Sequence, residues 1–111
     1  MKSYKAAGRP GRRLAFRLAS GTDLMSGLRQ MCEDSGIRAG VVPVIIGGVN
    51  RAQVEVARPA AESPVGVVAK EIHLDGPLAI LGAQGMICEL DDGRLEPHIH
   101  ITFVDANGHV H

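Results

Sequence analysis

The sequence predicts an α+β domain (α/β in the looser sense) built on a largely antiparallel sheet. Three observations carry this. Several short stretches alternate or run apolar, as strands do. One strong amphipathic helix stands between the first and second of them, and no regular strand–helix alternation follows. The length of 111 residues suits one domain with one core.

Residues 1–13 read as a flexible basic arm, rich in Lys, Arg and Gly, and the domain proper spans residues 14–111. In "LAFRL", Leu14, Phe16 and Leu18 share one face, which predicts a short strand. "SGTDLMSGLRQMCEDSG" predicts the helix. Thr22 or Ser20 can cap it, Asp23 suits the positive end of its dipole, and Gly36 supplies a left-handed stop. Leu24, Met25, Leu28, Met31 and Cys32 form its buried stripe.

"AGVVPVIIGGVN" is a continuous apolar run and predicts a strand buried on both faces, with a bulge or edge near Pro43 and a bend or bulge at Gly47-Gly48. "AQVEVA" alternates as a strand, "RPAAESPVG" is a loop and "VVAKEIHL" is a further strand. "AILGAQGMICEL" reads as one strand or two, with Gly82 and Gly85 marking bulges. "DDG" is a turn before a closing hairpin.

Charge is uneven although the formal net charge is zero. Lys2, Lys5, Arg9, Arg12, Arg13 and Arg17 are six of the twelve cations, and every acid lies from Asp23 onward, so the body carries about −6. An acidic body does not attract nucleic acid, whereas a basic arm does. Tyr4, Phe16 and Phe103 are the only aromatics, which argues against a single-strand binder that stacks bases. No membrane-spanning run or signal peptide is evident, and Cys32 and Cys88 stand alone, so a reducing cytoplasm is expected. Ser20, Ser26 and Ser35 lie in helix or cap positions without a nucleophile elbow.

Four of the five histidines fall in "EPHIHITFVDANGHVH". On a strand, His98 and His100 point the same way, about 6.6 Å apart along the backbone. This H-x-H pair is a natural bidentate chelate for zinc, copper, nickel or iron. Zinc usually takes three or four protein ligands, and the spacing is equally that of ordinary exposed strand residues. "DANGH" suits a type I turn followed by a left-handed glycine. Asp105 then pairs with His109 and Phe103 with His111, which puts His109 and His111 on the face opposite His98 and His100. A two-residue turn on Asn107-Gly108 would put all four on one face, yet too far apart along the strand for one cluster. His73 reads as an ordinary strand residue.

"RLASGTDLMSGLRQMCEDSGIRAGVVPVIIGGV", "LDGPLAILGAQGMI" and "PHIHITFVDANGHVH" together resemble the plants-and-prokaryotes-conserved (PPC) domain, from about Leu14 to the end. The resemblance implies a compact domain with a sheet flanked by helices, assembled as a homotrimer. It also implies a histidine metal site, zinc being the natural ion, made from the H-x-H motif and a later G-G-H motif. His98 and His100 match the first motif. The second would fall at positions 112–114, just past His111, so the chain reads as truncated at its C-terminus with the third ligand beyond it. Family members often have Glu in the L-x-I-L block, where this chain has Ala79.

Plant members carry an AT-hook, R-G-R-P, before the domain. Gly8-Arg9-Pro10 matches part of it, but Ala7 replaces the first arginine, so half of the minor-groove reader is missing. Arg9, Arg12 and Arg13 remain as candidate phosphate contacts, beside the plainer reading of a solvated basic arm. Two functional expectations follow: a non-enzymatic homotrimer, regulatory or DNA-associated through its arm, or a metal-dependent ligand-binding protein or enzyme centred on His98 and His100.

Overall fold

The structure is a computed structural model, and it describes residues 2–111. In chain order it contains helix α1 (Leu24–Asp34) and strands β1 (Gly40–Val42), β2 (Gly48–Pro59), β3 (Val67–Glu89) and β4 (Leu95–Val104). All pairing is antiparallel, and β3 is the partner of the other three strands. The fold class and the sheet are as the sequence predicts. Of the helices that the family resemblance implies, α1 is the only one among the described residues.

Local chemistry defines α1. Asp23, rather than Thr22 or Ser20, is the N-cap, and its carboxylate accepts from Ser26 N–H at 2.9 Å. At the other end Ile37 N–H bonds to Cys32 C=O and Gly36 N–H to Glu33 C=O, the paired bonds of a Schellman motif. Leu28 and Cys32 are buried, and Cys32 packs with Ile87 and Leu95 to form the core cluster, with Ile37 and Val42 against it. Arg29 fastens the helix to β4, donating to Leu95 C=O at 2.9 Å.

Two expectations fail in instructive ways. Residues 14–18 are not a strand. No sheet edge pairs with them, and the segment runs beside α1, with Leu18 resting on Gly27 and the Arg12 guanidinium donating to the Ser35 carbonyl at the end of the helix. Nor is the "AGVVPVIIGGVN" run one strand buried on both faces. Pairing stops at Val42, because Pro43 has no N–H to donate, and resumes at Gly48. The register survives the break: Gly40 faces Ile87 and Gly48 faces Ala79, eight residues on along one strand and eight back along the other. Val41, Val44 and Ile46 in this stretch are 78%, 63% and 89% exposed.

"VVAKEIHL" and "AILGAQGMICEL" are one strand of 23 residues. A register shift between Ile80 and Gly82 makes Leu81 the extra residue. A bulge moves every following side chain to the other face. Before it Leu78 is buried; after it Ala83 and Ile87 are. Gly85, expected as a second bulge, pairs regularly with Ile99.

Candidate functional site

Strand β4 alternates cleanly. Leu95, Pro97 and Phe103 are buried on the side facing α1, with Ile99 and Ile101 half-buried between them, while His98, His100 and Thr102 are exposed on the other side. The two imidazoles meet there, with Nε2 atoms 3.2 Å apart and ring centroids 5.2 Å apart. In the neutral pair one ring donates Nε2–H to the lone pair of the other, so the rings are opposite tautomers. A cation would replace that proton.

The sheet adds neighbours that lie far away in sequence. Met86 is directly opposite His98 and Gln84 is directly opposite His100, while Val41 on β1 is opposite Met86. Val41, Met86 and His98 thus form one row across three strands. With Val42, Pro43 and Gly85 these residues line a shallow concavity of about 450 Å³. Nothing in local sequence marks Met86 or Gln84 as companions of the histidines; the β3–β4 register alone brings them there.

The donor set fits half of a metal site. Two imidazole nitrogens at about 2.0–2.1 Å from one tetrahedral ion stand roughly 3.3 Å apart, close to the 3.2 Å separation found here. Among the described residues no group of three or more His, Cys, Asp or Glu side chains is arranged to hold a metal ion.

His109 and His111 lie elsewhere. Phe103 and His111 exchange both backbone hydrogen bonds at 2.9 Å, Asp105 N–H donates to His109 C=O, and Gly108 has φ +80°. This is the bulged hairpin register, and it leaves His109 and His111 on the face opposite His98 and His100. Asp105 organises that side. One carboxylate oxygen accepts from the Asn107 and His109 N–H groups, and the other lies 2.9 Å from His111 Nε2. The His111 contact first, then the backbone donors, hold the Asp105 carboxyl down at about 2.

The remaining candidates have structural partners. His73 sits 2.8 Å from Glu71 on an exposed strand face. Three of the four acids near the turn are held by arginines: Glu89 by Arg38 at 2.7 Å, Asp92 by Arg94 at 2.7 Å and Glu96 by Arg29 at 3.6 Å. Burial raises the Cys32 thiol, which belongs to the core. In the arm, Arg9 and Arg13 are exposed, while Arg12 is engaged at the end of α1. Among the described residues no helix is long and apolar enough to cross a membrane.

Fold and site together define an α+β domain that presents a histidine pair on an open sheet face. The chain belongs to the Plants and Prokaryotes Conserved (PCC, or PPC) domain family, whose model matches residues 5–111. Among solved structures it is similar to the metal-containing protein AF0104 from Archaeoglobus fulgidus, with 29% identity and a TM-score of 0.68. The similarity covers 86% of this chain and 63% of that one, so this chain spans less than two thirds of that protein's length. A search of curated proteins finds no match.

Proposed function

We propose that this chain is a non-enzymatic binding module that assembles as a homotrimer and holds a metal ion on His98 and His100. The single observation that carries the metal reading is the 3.2 Å separation of the two Nε2 atoms, the edge of a tetrahedral site, on an exposed face. The similarity to a metal-containing protein supports it. A bound ion would supply a positive centre for anionic or lone-pair ligands beside the apolar surface of Val41 and Pro43. Zinc is the first ion to test, as the ion that imidazole pairs commonly hold.

Self-association is supported by Val41, Val44, Ile46 and Leu81, which are large, apolar and exposed in the isolated chain. Three is the number that the family resemblance implies. The decisive experiment is elemental analysis of the purified protein alongside His98→Ala and His100→Ala, with mass measured by sedimentation. The expected result is stoichiometric metal in a trimer, lost in both variants; metal retained by both would reject the site.

A second reading rests on a separate observation. The six cations of residues 2–17 are all exposed, while the rest of the chain is acidic. We infer that any DNA association runs through this arm, with Arg9 and Arg13 as phosphate contacts and sequence discrimination weak. Such an arm suits a regulatory role better than catalysis.

A further inference from the structure

We propose that Met86 is a third donor of the His98–His100 site, and that its thioether makes the site select monovalent copper over zinc. This inference rests on the metal reading above and gives that site a specific preference.

The register places Met86 directly opposite His98 on β3 and β4. Directly opposed residues share a sheet face, with Cβ atoms about 5 Å apart. Met86 lines the same concavity as both imidazoles and is half exposed, so the core does not consume its side chain. The buried positions of this part of β3 are Ala83 and Ile87, on the other face. A methionine side chain is unbranched and flexible enough to turn its sulfur toward the imidazole nitrogens. The neighbouring wall is Val41, Val42 and Pro43, and the lining holds no carboxylate; its one oxygen-bearing side chain is the neutral amide of Gln84, opposite His100.

Ligand softness decides which ion gains. Thioether sulfur favours Cu(I), whereas zinc takes imidazole, thiolate and carboxylate. Two imidazoles and one thioether form a three-donor set for Cu(I), yet the same residues offer zinc only the two imidazoles. The carboxylates nearest in sequence, Glu89 and Glu96, are held by Arg38 and Arg29.

The test uses the full chain under anaerobic, reducing conditions, with Cu(I) competed against a chromophoric chelator and Zn(II) against a second one. Met86→Leu should weaken Cu(I) binding by at least about tenfold and leave Zn(II) binding within about twofold. X-ray absorption at the copper edge should show a sulfur scatterer in the parent and none in Met86→Leu. Equal Cu(I) affinity in parent and variant, with only nitrogen scatterers in both, would overturn the role of Met86 and leave the histidine site standing. Cu(I) and Zn(II) binding that both survive His98→Ala and His100→Ala would overturn the site itself. Unchanged circular dichroism and melting of Met86→Leu would assign any loss to the missing sulfur.

Discussion

The carbonyl oxygen of His98 occupies the space where a Cβ on residue 85 would lie. Gly85 faces Ile99 across β3 and β4, and the added carbon would also stand 2.9 Å from both the His98 carbonyl carbon and Ile99 Cα. All three neighbours are backbone atoms, which cannot swing aside as a side-chain tip does. The strand that carries the histidine pair therefore approaches β3 closely at this point because residue 85 is glycine.

Gly85→Ala should separate β3 from β4 beside the site. The expected cost is on the order of 3 kcal/mol, at the upper end for overpacking, together with loss of metal binding. Gly82→Ala is the comparison, since its Cβ would meet nothing within 4 Å. Chemical denaturation checks both. A Gly85→Ala protein as stable as the parent would show that the strands are not so closely held.

Leu95→Ala should be among the most damaging truncations of the core. Leu95 is 0% exposed and packs with Cys32 and Ile87 where α1 meets the sheet. Removing a buried leucine costs about 2–5 kcal/mol. Urea midpoints, compared at constant slope, measure the loss.

Ile46→Asp and Val44→Asp should act on assembly and leave the folded chain alone. Both residues are exposed, in a segment that makes no strand pairing. Charge at either position should shift sedimentation toward a single 11.7 kDa species, with circular dichroism unchanged. Trimers that persist in both variants would place the interface elsewhere.

The Asp105 carboxyl should titrate at about 2, against its ordinary value of 3.8. Its folded value is depressed, so its stabilising effect is fully present above 3.8 and disappears as pH falls toward 2. Carboxyl carbon shifts followed by NMR give the midpoint directly. Asp105→Asn should flatten the loss of stability over that interval, because the charge that pairs with His111 is gone.

Deleting residues 1–13 removes Lys2, Lys5, Arg9, Arg12 and Arg13. If DNA is bound through the arm, the deletion should abolish binding. The parent's affinity should fall with salt at a logarithmic slope of at most about −4 to −5, that of five phosphate contacts. Because Arg12 donates to Ser35 C=O at the end of α1, Arg9→Ala and Arg13→Ala should each weaken binding more than Arg12→Ala does. Filter binding across a salt series measures all of these.

What lay open in the sequence was local. The helix, its Gly36 stop and its buried stripe follow from i, i+4 spacing and backbone preference within one segment. The hairpin register from Asp105 to His109 follows from turn chemistry over five residues, and it already separated His98 and His100 from His109 and His111. The shared face of His98 and His100 needed only the two-residue period of a strand.

The tertiary structure decided everything that depends on a partner. Leu14, Phe16 and Leu18 alternate like a strand, but alternation supplies no neighbour to hydrogen-bond with, and the segment lies beside α1. The apolar run from Gly40 reads as a core strand, yet hydropathy does not say whether its cover comes from the same chain, and Ile46 stands in the open. Met86 faces His98 only because a bulge at Leu81 changes the parity of β3 and the register then sets position 86 against 98. Pairing between segments distant in sequence is a property of the whole sheet, and a single inserted residue reverses which side chains share its face.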